Sequence, residues 1–142
     1  MRLFFVLSLI FSLCYNQENS TPSDYWESLT HGEKTAFVSG VFTATSRAKW
    51  HHQIELEKQY KGKSNWVPPY YIERYYEILD EHVPNENPTD LTFIVGQVDA
   101  LYSNFDNHKI PLIEAIRIAT VVEDGDRKKG NLLLLKAQQK LK

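Results

Sequence analysis

Residues 91–105, LTFIVGQVDALYSNF, carry the clearest structural pattern in the chain. Their apolar side chains recur every three or four residues, which places them on one face of an α-helix. This face comprises Leu91, Ile94, Val95, Val98, Leu101, Tyr102 and Phe105. Because an amphipathic helix buries its apolar face against other elements, the stretch predicts a helix that contributes one side of a helical core.

The helix that follows is predicted to lie at the centre of the domain. Pro111 suits its first turn, where the missing N–H of proline costs nothing. From Leu112 to Val122 the chain is apolar nearly all round, and Asp124-Gly125-Asp126 ends the helix. A helix that is apolar all round is normally buried, so we expect this one to be central.

Three further elements precede residue 91, and one follows the central helix. Thr30 and Glu33 fit a capping box, in which each side chain satisfies the free backbone N–H of the other residue. The helix that this box opens is predicted to continue to about Tyr60. The other predicted elements are a short turn around Trp26 capped by Ser23 or Asp24, a helix over 70–83, and a last helix over 132–141 capped by Asn131; Thr89 or Asp90 is the expected cap of the helix over 91–105.

No stretch shows the period-two alternation of a half-buried strand. The predicted fold class is therefore all-α: a compact bundle of four to five helices over residues 24–142, after an N-terminal signal segment.

Residues 1–14 have the layout of a signal peptide. Arg2 supplies a short basic region, and the run from Leu3 to Leu13 is apolar apart from two serines. The run is too short for a permanent membrane span, which takes about 20 residues. The chain then turns polar, so residues 15–23 are expected to be a linker. The protein is expected to be exported, as a periplasmic, membrane-anchored or secreted protein.

Cys14, the only cysteine, leaves two alternatives open. In one, Ser12 and Cys14 are the small residues of an ordinary cleavage site, and both are removed. In the other, Cys14 is the lipidated first residue of a bacterial lipoprotein, and the residues after it are its tether. The folded domain has no disulfide in either case. Membrane contact is expected only through such a lipid anchor.

Composition argues against several classes of function. The net charge is −2, whereas a nucleic-acid-binding protein needs a concentrated basic face, so no nucleic acid is expected as a partner. The chain has neither a phosphate-binding glycine loop nor a nucleophile elbow. We therefore predict no cofactor and no enzymatic activity.

Trp66, Tyr70, Tyr71, Tyr75 and Tyr76 form an aromatic group around the start of the helix over 70–83. Tyr71 and Tyr75 are one turn apart and are expected to stack. Tyrosine combines a large contact area with a polar tip, which suits a recognition surface. The alternative is that these rings pack in the core with their hydroxyls at its rim.

Asp99, Tyr102, Asp106 and Asn107 form a second group near the end of the helix over 91–105. A partly buried carboxylate with a shifted pKa is a mild sign of a functional site, and paired acids raise the alternative of glycan hydrolysis. The structural alternative is that Asp99 or Asn107 satisfies backbone groups at the turn before the next helix.

His51, His52 and Glu55 form the only metal-like cluster of the sequence. His51 and Glu55 share a helix face, but zinc needs three or four ligands and HHQIE is not a metalloprotease motif. The favoured interpretation is an exposed polar helix face, and no metal site is predicted. The candidate binding residues are Trp66, Tyr70, Tyr71, Tyr75, Tyr76, Asp99, Tyr102 and Asn107.

Two sets of residues, taken together, carry a resemblance. The first is Trp26, Leu29, Glu33, Lys34, Phe37, Val38 and Gly40, and the second is Asp99, Tyr102, Asn107, Ile110, Pro111 and Ala115. The pairing resembles a group of small exported bacterial proteins, often lipoproteins, with no assigned activity. Its outline is also similar to the helical periplasmic immunity proteins that neutralise type VI secretion amidases. That immunity family carries cysteines in its folded part, whereas residues 15–142 carry none.

The resemblance implies a helical fold and a place in the cell envelope, and it transfers no catalytic residue. Together with the export signal, it leads us to expect a protein-binding module with a protein partner in the cell envelope, in one form an inhibitor or immunity protein. The alternatives are a structural or tethering lipoprotein and a small envelope enzyme that acts on a cell-wall or glycan substrate.

Overall fold

Six α-helices and one short 3-10 helix make up the computed structural model, which describes residues 20–63, 65–84 and 91–141. No strand occurs in these residues, so the all-α prediction is confirmed for them. The helices are α1 (Pro22–Ser28), α2 (His31–Tyr60), α3 (Tyr70–Asp80), α4 (Thr92–Tyr102), α5 (Leu112–Glu123) and α6 (Arg127–Gln139), and the 3-10 helix Phe105–Asn107 precedes α5. Their number exceeds the predicted four to five because α1, expected as a turn, is a helix of its own.

Several predictions lie outside the described residues. They are the signal peptide over residues 1–14 with Cys14, residues 15–19 of the linker, and the expected caps Thr89 and Asp90.

Helix α5 lies at the centre of the fold, as predicted. It packs against both α4 and α6. Most of its side chains are buried, on more than one face of the helix, including Ile116, Ile118 and Val121. Around it the core collects Trp26 from α1, Val38 and Phe42 from α2, Ile94, Val95, Val98 and Tyr102 from α4, and Ala137 from α6.

Capping boxes set the start of α1 and α2. The Thr30–Glu33 box is present as predicted: the amide of Glu33 donates to Thr30 Oγ1, and the amide of Thr30 donates to Glu33 Oε2 at 2.7 Å. A second box, formed by Thr21 and Asp24, begins α1. The expectation that Ser23 or Asp24 caps this element is therefore wrong, and Ser23 is a buried helical residue. The linker predicted to end at residue 23 is too long, since its last residues belong to α1.

Three other predicted boundaries differ from the structure. Helix α4 ends at Tyr102, so Phe105 leaves the predicted apolar face and is 82% exposed. Helix α3 ends at Asp80, three residues before the predicted end. Helix α6 begins earlier than predicted because Asp126, rather than Asn131, is its cap and accepts from the amide of Lys129 at 3.0 Å.

The second half of α2 and the whole of α3 form a helical hairpin, residues 49–80, which we call the arm. Its antiparallel register is set by three cross-contacts, namely the ion pair Lys49–Asp80, the hydrogen bond between His52 and Tyr76, and the stacked rings of Tyr60 and Trp66. The buried residues of α2 lie in its first half, at Val38 and Phe42. Among the described residues, the core cluster includes no member of the arm, so the arm extends beyond the core.

Glu81 joins the base of the arm to the body of the protein. Its carboxylate is 3% exposed, Arg117 Nε donates to Oε2 at 2.7 Å, and Lys129 Nζ lies 2.9 Å from Oε1. The Lys129 contact is an ion pair by distance, although Oε1 accepts no well-aligned hydrogen bond. Burial alone raises the pKa of Glu81, but Lys129 and Arg117 outweigh it and the pKa is lowered. This ionised side chain therefore ties α3 to α5 and α6.

Candidate binding surface

Four of the exposed aromatic or apolar side chains of the arm lie on α3 or just before it, and we call them the aromatic face: Val67, Tyr70, Tyr71 and Tyr75. The first three are 74%, 75% and 71% exposed, and Tyr75 is also exposed. Ile72 is the buried residue of α3, whereas Tyr71 and Tyr75 lie one turn apart on an exposed flank of the same helix. The alternative that these rings pack in the core is wrong for Tyr70, Tyr71 and Tyr75.

His52 and Tyr76 pack against Tyr75 of the aromatic face and hold its ring in place. His52 Nδ1 lies 2.8 Å from the Tyr76 hydroxyl, and the imidazole packs edge-on against the rings of both Tyr75 and Tyr76. Burial, followed by the neighbouring Tyr75 and Glu57, raises the pKa of Tyr76. The stacking expected between Tyr71 and Tyr75 is replaced by these contacts of Tyr75 with His52 and Tyr76.

Trp66 closes the tip of the arm instead of lying open on its surface. Its ring stacks on Tyr60, with centroids 4.1 Å apart and planes inclined by 11°. Lys63 Nζ lies 5.1 Å from the centre of the Tyr60 ring. The stack positions Val67 and the two prolines that lead into α3, so Trp66 supports the aromatic face more than it forms it.

Asp99 lies apart from the arm, at the junction of α1, α2 and α4. The Trp26 indole Nε1 donates to Asp99 Oδ1 at 2.6 Å, and Lys34 Nζ donates to the same oxygen at 2.8 Å. Of the two residues named in the structural alternative, Asp99 is not the one that bonds to backbone groups here, because both of its donors are side chains.

Tyr102 and Asn107 are buried and bonded internally. The Tyr102 hydroxyl donates to the carbonyl of Ile110 at 2.8 Å, and burial raises its pKa. Asn107 donates to the carbonyl of Leu101 and accepts from Gln138 Nε2, each at 2.8 Å. The structural alternative for Asn107 is thus confirmed, and these two side chains hold the turn before α5 and its contact with α6.

His51 and Glu55 lie on an exposed face of α2, which confirms the interpretation favoured for them. Glu55 pairs with Lys58 at 2.7 Å, and this contact lowers the pKa of Glu55. His52, predicted with them, turns toward α3 instead. Within the described ranges, no three potential metal ligands come together.

The sequence did not single out Val67 or the role of His52. Val67 precedes two prolines in a segment that is not helical, and an apolar residue there has no helix face on which to be buried. The two prolines after Val67 are visible in the sequence, so the exposure of Val67 could have been predicted. The pairing of His52 with Tyr76 depends on the register of the arm, 24 residues apart, and no local pattern reports it.

Comparisons with known proteins found no match for this chain. It matches no protein-family model, and no curated protein or solved structure is significantly similar to it. In the described part of the chain, no helix is long and apolar enough to cross a membrane.

Proposed function

We propose that this protein is an exported protein-binding module that contacts a protein partner of the cell envelope through the aromatic face of its arm. The observation that carries the proposal is the exposure of Val67, Tyr70 and Tyr71, each more than two thirds open to solvent on a hairpin outside the core. Aromatic residues are enriched at protein–protein interfaces, where they supply most of the binding free energy.

The arm is ordered before any partner arrives. The His52–Tyr76 hydrogen bond, the Tyr60–Trp66 stack and the ion pair of Lys49 with Asp80 fix its two helices against each other. A surface that is already ordered loses less conformational entropy on binding than a flexible one. Preorganisation of this kind favours a specific contact with one partner.

An inhibitory role of the immunity kind is the finer form of the proposal. It is motivated by the similarity of the chain's outline to helical periplasmic immunity proteins, although residues 15–142 carry no cysteine. Export itself is supported by the apolar run from Leu3 to Leu13 after Arg2.

Photo-crosslinking from the aromatic face tests the proposal. A photoreactive phenylalanine analogue is placed at position 71 in the full chain, expressed in its own host, and position 105 carries it as the matched control. Phe105 is as exposed as Tyr71 but lies away from the arm. We expect one envelope protein to crosslink from position 71 and not from position 105.

The captured protein is then purified, and its dissociation constant for the full chain is measured. Replacing Tyr71 and Tyr75 together by alanine is expected to weaken binding at least about 100-fold, since interface tyrosines often contribute 2 kcal/mol or more each. Phe105→Ala should leave the constant unchanged. Equal binding by the wild type and the double variant, or equal crosslinking from both positions, would overturn the proposal.

A further inference from the structure

Two leucines on the outward face of α6 are exposed to solvent. The run Leu132–Leu135 divides, because Leu133 and Leu134 pack against the core while Leu132 and Leu135 are 50% and 51% exposed. Gly130 and Ala137 are the buried residues of the same helix. Leu132 and Leu135 are three residues apart and therefore adjacent on one face.

The segment that contains α6 is also the basic part of the chain. Residues 127–142 hold six of the sixteen Lys and Arg residues and none of the eighteen Asp and Glu residues. The rest of the chain is accordingly acidic. The overall charge of −2 conceals this separation, which brings a basic helix to the surface of an otherwise acidic protein.

Most of these cations are open to solvent. Lys129 is occupied by Glu81, but Lys128, Lys136 and Lys140 are exposed, and none has a carboxylate partner among the residues that the structure describes. Lys128, Leu132 and Leu135 follow one another at helical spacing. Asp124 and Asp126 precede the helix and reduce the positive charge at its beginning. The positive charge that no nearby carboxylate offsets is therefore at the end of α6, on Lys136 and on Lys140 just after the helix.

We propose that the outward face of α6 binds the surface of an anionic lipid membrane, with Leu132 and Leu135 inserted at the headgroup boundary. Lysines near a membrane surface attract anionic headgroups. Apolar side chains on the same helix face add affinity by entering the boundary between headgroups and acyl chains. The lysines alone would be sufficient to bind an acidic protein. A membrane surface has an anionic headgroup layer and an apolar layer beneath it, so it suits both the lysines and the paired leucines.

The place where the chain enters the fold fits this orientation. Thr21 lines the same cleft, of about 440 Å³, as Gln138 and Leu141 at the end of α6. Cys14 precedes Thr21 by seven residues, which span at most about 25 Å when fully extended. A lipid on Cys14, if attached, would therefore hold the end of α6 near the bilayer. The contact made by α6 does not require the lipid, and it adds to the anchor at Cys14 that one interpretation of the sequence predicts.

Vesicle co-sedimentation of the full chain tests this inference. The probes are vesicles of phosphatidylcholine alone and vesicles with about 30% phosphatidylglycerol. The lysine and leucine variants keep the same residues 1–126 as the wild type, so any vesicle binding by that part is common to these three proteins. We expect the wild type to bind the anionic vesicles at least tenfold more tightly. Lys136→Gln with Lys140→Gln should remove this preference, and Leu132→Ser with Leu135→Ser should weaken binding at least tenfold.

Two controls keep the test decisive. Phe93→Ser exchanges an equally exposed apolar residue on α4 and should not change vesicle binding, and Tyr71→Ala separates this surface from the aromatic face. Circular dichroism verifies that each variant is folded; the lysine variants alter only exposed side chains. Unchanged binding in both the leucine and the lysine variants would overturn the inference. So would equally tight binding to polyglutamate that the leucine variants do not affect, since the face would then be a general anion site.

Discussion

The indole Nε1 of the fully buried Trp26 donates to Oδ1 of Asp99 across 73 residues of sequence. Lys34 reaches the same oxygen, and its Nζ lies 5.2 Å from the centre of the Trp26 ring. One half-exposed carboxylate thus satisfies the only polar atom of a core tryptophan side chain and pairs with a mostly buried lysine. Asp99 joins three helices, and this role is structural.

Removal of the Asp99 carboxylate should destabilise the fold. In Asp99→Ala the indole N–H is left buried without an acceptor, which costs about 1–3 kcal/mol. Asp99→Asn keeps an oxygen acceptor for Trp26 and should lose less. Urea denaturation followed by circular dichroism measures the free energy of unfolding. Asp106→Asn, at an exposed position, is the control and should match the wild type. A fully stable Asp99→Ala variant would refute the structural role.

Glu81 should make stability depend on pH. Its folded-state pKa is lowered, so its contribution is complete above the ordinary carboxyl value of 4.5 and is lost as the pH falls through the folded-state value. Glu81→Gln leaves Arg117 without its buried partner and should cost about 3 kcal/mol at pH 7. The difference from the wild type should shrink steadily below pH 4.5. Glu123→Gln, at an exposed position on α5, should show no such trend.

The glycines of the helices should respond in opposite directions to alanine. At Gly40 and Gly96 an added Cβ meets no atom within 4 Å, so each substitution should stabilise the fold by about 0.5–1 kcal/mol through helix propensity. At Gly130 the added Cβ would fall on a methyl group of Val122, where α6 approaches α5. Gly130→Ala should destabilise by about 1–3 kcal/mol. Denaturation midpoints that shift in the same direction for all three would contradict this packing.

The support beneath the aromatic face should be measurable without a partner. Tyr76→Phe removes the hydroxyl that bonds to His52 and should lower the free energy of unfolding by about 1 kcal/mol. Tyr70→Phe changes a hydroxyl on a side chain that is three quarters exposed and should have no effect. Urea denaturation of the two variants side by side provides the comparison, and equal stabilities would argue against the His52–Tyr76 contact.

Local patterns were enough to predict much of this fold. The Thr30–Glu33 box marked the start of α2 because capping is decided within three residues, and the all-round apolar character of residues 112–122 marked α5 as central. Phe105 shows the limit of periodicity, since the chain leaves the helix after Tyr102 and carries the residue off the predicted face. The competing caps Asp126 and Asn131 are both good helix starters, and sequence alone does not rank them.

The candidate sites were harder to predict than the helices. Tyr71 and Tyr102 are the same residue type on helices with similar spacing, yet one is exposed on the arm and the other is buried beside Ile110. Tyr102 is buried because α4 is packed among other helices of the core, whereas α3 lies outside the core. This difference depends on how the helices assemble. The partners of Asp99 likewise come from two other helices, at separations that no local pattern encodes.

The position of the arm outside the core has a consequence for hydrogen exchange. Amides near Val38 and in α5 become exposed only when the whole bundle unfolds, whereas amides of residues 49–80 depend on one helix-to-helix seam. Segments with few buried apolar contacts open at lower free energy than the rest of a protein. The arm should therefore exchange its amide protons as a single cooperative unit while α4, α5 and α6 stay protected, and a partner bound to the aromatic face should slow that exchange.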